Sequence, residues 1–484
     1  MSPTIGPDLA PSSSLGPFRP NGLSLKRSST SSSHSLPENA SIGTSPAYSS
    51  SSLSIPFEDG DVDVVRVEGL RHANQRLEAR TEFSILVWCP RYKTAPFAEQ
   101  LLRILHTIRA PTWSEQGIAP ERITIQKVSG SLTNAVFFVS CTSVPKTRTL
   151  LLRIYGPSSG TLISRPRELH TLHVLSSRYH IGPRVYGTFE NGRVEEYFDS
   201  TALTADDMRD PVISSWIGAR MAELHGVDID AVMYDPPTPD GPERGQQGVI
   251  KNVNSWLPNA REVLALPGAP AAVREALDLD KFEQEWGLYL EWLHQNEKTE
   301  GSSRTVFSHN DAQYGNLLRL RTLAEGQPAH RQIIVVDFEY AAPNPAAYDI
   351  ANHFHEWTAD YHGPTPHLLD PRRYPTAAER ENYYRAYLTH TQCALDAPDG
   401  APVPARARDL APDALAAAMR ALERDVRVWS PASHAMWAVW GVVQAREAVE
   451  GADAEPEFDY LGYAQCRVDG FRRELRALGV LPAA

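Results

Sequence analysis

The chain has 484 residues, 42% hydrophobic and 22% charged, enough for two or three folding units or one large bilobal enzyme with a tail. Its 47 basic against 59 acidic residues give a net charge of −12, which opposes attraction to nucleic acid or anionic lipid, so neither is expected as a partner. No apolar run approaches the roughly 20 residues of a bilayer span and no secretory pattern is present, so a cytoplasmic location is expected. Cys89, Cys141, Cys393 and Cys466 have no C-x-x-C spacing, which argues against a zinc site or a disulfide framework and for reduced thiols.

In chain order, residues 1–56 come first, rich in Ser and Pro and without paired apolar positions. Such a segment cannot offset the entropy of ordering, and composition predicts disorder. Lys26, Arg27, Ser28 and Ser29 within it read as a basophilic phosphorylation site or as a chance string of a Ser-rich tail. From about residue 62 the composition turns globular. Phe83–Trp88 reads as a strand and Phe97–Ile108 as an amphipathic helix. Ile123–Val128, Ala135–Ser140 and Thr149–Tyr155 form a predicted antiparallel meander, Pro166–Ser177 a helix, and Arg184–Thr188 with Arg193–Phe198 a hairpin turning at Asn191 and Gly192. Beyond Asp206 helices dominate, over 211–225, 280–295, 376–390, 412–425, 434–450 and 459–478, with 394–411 a surface excursion.

Two short apolar runs interrupt the helical half, Leu317–Leu320 and Ile333–Val336, spaced as a hairpin. In a hairpin the start of the first strand lies beside the end of the second. Asn316 and Asp337 are therefore expected together at the open end, next to His309, Asn310 and Asp311. Two carboxylates and an amide converging on one spot are what phosphoryl transfer needs: a base for an attacking hydroxyl and oxygen ligands for Mg²⁺. The step from Asp311 to Asn316 matches the kinase catalytic loop H-R-D-x-x-x-x-N, with Asp-Phe-Glu from Asp337 in place of Asp-Phe-Gly. His309 reads as a hydrogen-bonded loop anchor.

The nucleotide side is less specific. Ser129, Gly130, Ser131, Thr133 and Asn134 lie between two predicted strands, where small residues and backbone N–H groups either cover phosphates or simply make a turn. Arg153 is a cation in an apolar strand and needs either a phosphate or an internal ion-pair partner.

The stretches VSGSLTNAVF, LLRIYG, GPRVYGTFENGRVEEY, HNDAQYGNLL, VVDFEYAAPNPAAYDIANHFHEW, SHAMWAVWGVVQA and FDYLGYAQCR together resemble the choline/ethanolamine kinase family, most of all its fungal choline kinases, over roughly residues 120–475. The resemblance implies an α+β, protein-kinase-like bilobal fold: a family-type segment over 57–119 packing on the N-lobe, a nucleotide-binding N-lobe over 120–205 and a helical C-lobe over 206–484. It implies transfer of the ATP γ-phosphoryl group to choline, with ethanolamine kinase or dual specificity as the alternative and a catalytically silent scaffold as the reading of a different class. Asp311 would be the general base, Asn316 and Asp337 would hold Mg²⁺, and Gln313, Arg153 and Glu196 would lie at the nucleotide. Glu356, Tyr361, Trp437, Trp440, Phe458 and Tyr463 would surround the quaternary ammonium, which aromatic faces and a carboxylate suit. By spacing alone Trp437 and Trp440 are core residues; their place in a cage comes from the resemblance. Gln313, Gly315 and Trp357 match choline rather than ethanolamine kinases. Departures are Ser129 for the usual Gly, Glu196 for the usual Gln and Ala351 for the usual Gly. A homodimer is left open.

Overall fold

The computed structural model describes residues 69–77, 91–114, 117–130, 134–155, 165–233, 247–395, 411–451 and 458–483. The Ser-rich segment with its phosphorylation string, the strand expected at Phe83–Trp88, Ser131, Thr133 and most of 394–411 lie outside these residues.

A six-stranded sheet forms the first layer: β1 (His72–Ala73), β2 (Thr124–Gly130), β3 (Asn134–Ser140), β4 (Leu150–Tyr155), β5 (Val185–Phe189) and β6 (Gly192–Glu196), in the order β1-β5-β6-β4-β3-β2. The meander β2-β3-β4 is antiparallel, as alternation predicts. Helix α1 (Ala95–Thr107) starts with a proline in its first turn and puts Phe97, Leu101, Ile104 and Leu105 on one face. That face packs on Phe137, Val139, Leu150 and Leu152 of the sheet to form one hydrophobic core. Helix α2 (Arg165–Arg178) connects β4 to β5. The β5–β6 turn falls on Glu190 and Asn191, one residue earlier than expected, because Gly192 already pairs with Phe189. A Cβ at Gly192 would come within 2.4 Å of the Arg153 carbonyl oxygen, so glycine is required there by close approach, not by turn geometry. Asn191 instead clasps the backbone of Leu77, accepting from its N–H (2.9 Å) and donating to its C=O (2.7 Å).

The second core is helical. Its elements are β7 (Ser200–Ala202), α3 (Pro211–Leu224), α4 (Ile229–Val232), α5 (Gly248–Ala265), α6 (Ala271–Leu277), α7 (Leu279–Glu300), β8 (Thr305–Ser308), β9 (Leu317–Leu320), β10 (Ile333–Val335), β11 (Ala342–Pro345), α8 (Ala346–Glu356), α9 (Ala377–Leu395), α10 (Pro412–Gln444), α11 (Arg446–Glu450) and α12 (Tyr460–Ala477). Asp210 caps α3 by accepting from the Val212 and Ile213 amides, with Pro211 at the first helical position. The sequence reading missed α5 and α8. Helix α8 is buried on every side, its polar Asp349, Asn352, His353, His355 and Glu356 included, so its polar positions do not mark a solvent face. It also split one helix in two: α10 runs 33 residues through Pro431. Proline costs a helix one hydrogen bond, but the segment from Trp429 to Gln444 is wholly buried, and Tyr289 donates to the Val428 carbonyl (2.9 Å) beside the proline.

Candidate active site

Strands β9 and β10 pair antiparallel, Leu317 opposite Val335, and the Val336 N–H donates to the Asn316 carbonyl (3.0 Å). The hairpin thus brings Asn316 and Asp337 to one end, beside the loop that follows β8. Asn310 (φ 66°) and Asp337 (φ 67°) are both left-handed, a conformation that short polar side chains tolerate better than others. Asn310 is held in it by its side chain, which donates to the Tyr340 carbonyl (2.7 Å) and accepts from Asn344 (2.9 Å).

Asp349, in the first turn of α8, anchors the loop from below. Its two oxygens accept from the backbone N–H of His309 and of Asn310, both at 2.8 Å, and from His225 Nε2 at 2.9 Å. Burial pushes this carboxyl up, but the His225 hydrogen bond and charge, together with His309, outweigh it and hold the group below its ordinary range. The His309 imidazole is buried and neutral. Its Nε2 donates to the Val336 carbonyl (3.0 Å) and its Nδ1 accepts from the Asp311 N–H (3.2 Å), so it is the loop anchor expected.

Asp311 lies in the loop after β8, held by Asn316, whose Nδ2 donates to the Asp311 Oδ2 (2.8 Å) and to the Asp311 carbonyl (2.9 Å). Burial, then the Glu356 and Asp337 carboxylates, push the Asp311 carboxyl well above its ordinary range. Asp337 Oδ1 is buried with no hydrogen-bond partner among the described residues. With its amide nitrogen committed to Asp311, Asn316 has its side-chain oxygen left as a ligand atom. An orphaned carboxylate oxygen, an amide oxygen and a crowd of carboxylates out of water fit a hard divalent cation such as Mg²⁺.

Glu356 ends α8. Its Oε2 accepts from the Tyr361 hydroxyl (2.6 Å) and its Oε1 from Arg467 (2.9 Å), whose Nε donates to the Tyr463 hydroxyl (3.0 Å). Of the rings expected around a cation, Trp437, Trp440, Phe458 and Tyr463 form one continuous set, while the Tyr361 ring packs on Tyr314 at 5.6 Å and meets Glu356 through its hydroxyl. Trp437 and Trp440 meet edge to face at 5.2 Å, Trp440 and Tyr463 at 6.0 Å, and Phe458 and Tyr463 at 5.6 Å. Tyr340 joins them, 5.5 Å from Trp437, with its hydroxyl accepting from Trp440 Nε1 (2.9 Å). Trp437 Nε1 donates to Asn352, which donates in turn to the Asn310 carbonyl, so the ring set and the reaction loop share one hydrogen-bond chain. Trp357 is not part of the set. It donates to His353, which donates to the Ala312 carbonyl (2.8 Å) and braces the loop from the other side.

Of the sequence-predicted nucleotide residues, Ser129, Gly130, Asn134, Arg153 and Glu196 sit on the sheet, while Gln313 and Asp337 lie in the loops around β9 and β10. Arg153 lies directly across from Arg193. Arg193 takes both ion-pair partners, Glu168 (2.8 Å) and Glu195, while Arg153 Nε is buried with no hydrogen-bond partner among the described residues. The internal ion pair therefore belongs to Arg193, not Arg153. Glu196 spends its carboxylate on the Arg184 N–H (3.3 Å), and Gln313 accepts from the Gly315 N–H (2.8 Å), capping the turn before β9. Of the phosphate-loop candidates, Ser129, Gly130 and Asn134 are placed by backbone only, as the facing ends of β2 and β3.

Sequence reasoning missed Arg467, Asp349 and Tyr340. Arg467 carried no local signal, being one of four arginines in α12, and Asp349 carried none beyond its acidity near a helix start.

The family model for choline/ethanolamine kinase matches residues 125–472. The chain belongs to the choline/ethanolamine kinase family. It is 33% identical over 421 residues to a choline kinase of Schizosaccharomyces pombe, covering 79% of this chain and 90% of that protein. To a choline/ethanolamine kinase of Homo sapiens it is 30% identical over 361 residues, covering 72% and 80%. Among solved structures, a choline kinase from Cryptosporidium parvum superposes with a TM-score of 0.57 at 24% identity, covering 79% of this chain and 98% of that one, which shows the family's bilobal kinase-like fold.

Proposed function

We propose that the protein is a choline kinase, transferring the γ-phosphoryl group of ATP to the choline hydroxyl to give phosphocholine, the first step of the CDP-choline route to phosphatidylcholine, in the cytoplasm. The observation that supports this reading is that Glu356, which is tied to the rings of Tyr361 and Tyr463, is also close enough to Asp311 to act on its charge, as is Asp337. Against the three carboxylates Asp311, Asp337 and Glu356, the Arg467 guanidinium reaches Asp311 and Glu356. The excess negative charge suits two cations, a metal ion and a quaternary ammonium. A trimethylammonium head cannot donate strong hydrogen bonds, so it is recognised by ring faces with a carboxylate nearby. Tyr340, Trp437, Trp440, Phe458, Tyr463 and Tyr361 supply the rings.

Asp311 accepts the hydroxyl proton; its raised proton affinity suits it to a base that must hold that proton through the transfer. Asn316 keeps its carboxylate turned by donating to Oδ2. Asn316 and Asp337 would hold Mg²⁺, which when bound screens phosphate charge. Arg153, with its unpartnered Nε, and the β2–β3 turn would meet the nucleotide phosphates. By domain, we read 57–119 as a family-type segment packing on the N-lobe, 120–205 as the nucleotide-binding N-lobe and 206–484 as the helical C-lobe with the catalytic loop and choline site.

The relationship to a choline/ethanolamine kinase of Homo sapiens favours a second reading, dual specificity. A coupled assay of ADP release with choline and ethanolamine in parallel tests both. Choline turnover with a higher kcat/KM than ethanolamine is the expected result. No turnover of either, in folded protein, overturns the enzyme reading.

A further inference from the structure

Three helices that carry the cage also carry a second cluster that the reaction does not use. His355 sits next to Glu356 on α8, His434 one turn before Trp437 on α10, and Glu474 two turns beyond Arg467 on α12. Each offers a ligand atom, and these atoms all lie within 4.8 Å of one another. Glu474 Oε1 is 3.6 Å from His355 Nε2 and 3.6 Å from His434 Nε2. That is too long for hydrogen bonds. It is close to the roughly 3.4 Å that separates donor atoms around a tetrahedral ion with ligand bonds of about 2.0–2.1 Å.

A second observation is independent of these spacings. His434 is 2% exposed, yet among the described residues neither of its ring nitrogens has a hydrogen-bond partner, and Glu474 Oε2 has none either. An imidazole buried with both nitrogens idle is costly. All three side chains line one cavity of about 180 Å³, with Tyr374, Cys466 and Arg473 on its wall. Gly470 makes the room: a Cβ there would come within 2.6 Å of the His434 ring.

We propose that His355, His434 and Glu474 form a site for one divalent transition-metal ion of the zinc type, built from residues other than the catalytic carboxylates. Two imidazoles and one carboxylate with an open fourth position select a borderline ion over Mg²⁺. His355 Nε2 exchanges its hydrogen bond with Ser430 (2.8 Å) for the metal. Glu474 is 22% exposed and gives the ion an entry path from solvent. Arg473 shares the cavity and opposes a second positive charge, which sets the affinity in the micromolar rather than the nanomolar range. A bound ion would tie α8, α10 and α12 together behind Glu356, Trp437 and Arg467, and so stiffen the cage.

The test is titration of metal-stripped, full-length protein with ZnCl₂ by calorimetry, in excess Mg²⁺, with Co²⁺ as a spectroscopic probe. The expected result is one equivalent of Zn²⁺ bound, visible d–d bands of four-coordinate Co²⁺, and a melting temperature raised by roughly 3 °C or more at saturating metal. Glu474→Gln and His434→Gln should each weaken binding at least ~10-fold. If His434→Gln fails to fold, Glu474→Gln, at the solvent-facing edge, still decides. An Asp337→Asn arm separates the catalytic carboxylates. Absence of binding, binding unchanged in a folded Glu474→Gln protein, or binding lost only with Asp337→Asn would overturn the proposal.

Discussion

The Arg467 guanidinium lies 2.9 Å from the Glu356 carboxylate, with Arg467 0% and Glu356 2% exposed. One residue ends α8 and the other lies on α12, so this single pair joins the helix whose Asp349 anchors the loop after β8 to the helix that carries Tyr463. Glu356 is thereby paired and aimed, and Tyr361 occupies its other oxygen.

Breaking a buried pair by removing one member leaves a stranded charge, at a cost of about 3–5 kcal/mol. Arg467→Met should lose stability on that scale in urea unfolding. Adding Glu356→Gln to it should restore much of the stability while choline KM stays high. Recovery of choline binding in the double variant would show that Glu356 does not meet the substrate.

Asp311 should set function against stability. Its carboxyl holds its proton more tightly folded than unfolded, because burial and two carboxylate neighbours disfavour the charge. The ionised form therefore weighs against the fold at pH above the folded-state pKa, and that penalty disappears as pH falls toward the ordinary carboxylate range. Asp311→Asn should melt above the parent at about pH 8, with the gap closing on acidification, while kcat falls at least ~10²-fold. An equal or lower melting temperature at every pH would contradict this account.

Asp337→Ala should also lower kcat by ~10²-fold or more, and it should shift the Mg²⁺ dependence of what remains to higher concentration. The readout is a magnesium titration at saturating ATP and choline. An unchanged magnesium profile would remove Asp337 from the metal.

Trp440 is part of the core as well as of the cage, being 8% exposed. Trp440→Ala opens a cavity costing about 3–5 kcal/mol, so it cannot report on choline alone. Trp440→Phe keeps a ring but loses the bond to Tyr340. It should raise choline KM severalfold, in line with ~0.5–2 kcal/mol for a cation–π face, and leave the KM for ATP within about twofold. Steady-state kinetics in each substrate decides.

The position of Asn316 beside Asp337 was legible because a hairpin leaves no freedom: once two short apolar runs pair, their open ends must meet. Trp437, Trp440, Phe458 and Tyr463 stand in one ring set, but spacing could not have said so, since two Trp a turn apart look the same in a core. Arg467 could not be read at all. Its partner lies 111 residues away, and nothing local to α12 announces a buried ion pair. The split of α10 fell around Pro431, where a buried segment lets tertiary packing override a proline, whereas α8 was missed because its buried surface includes polar residues such as Asp349, Asn352 and Glu356.

Asp349 has one more consequence. It takes the amide hydrogens of His309 and Asn310 on a carboxylate with 0% exposure, itself tied to His225 and through it to Tyr387 of α9. Those two amides can reach deuterium oxide only when α8 and the helices around His225 come apart. Their isotope exchange should therefore be as slow as that of the innermost helical amides, although they belong to a loop. The catalytic segment would then be among the last parts of the lobe to open, and its shape a property of the whole helical core.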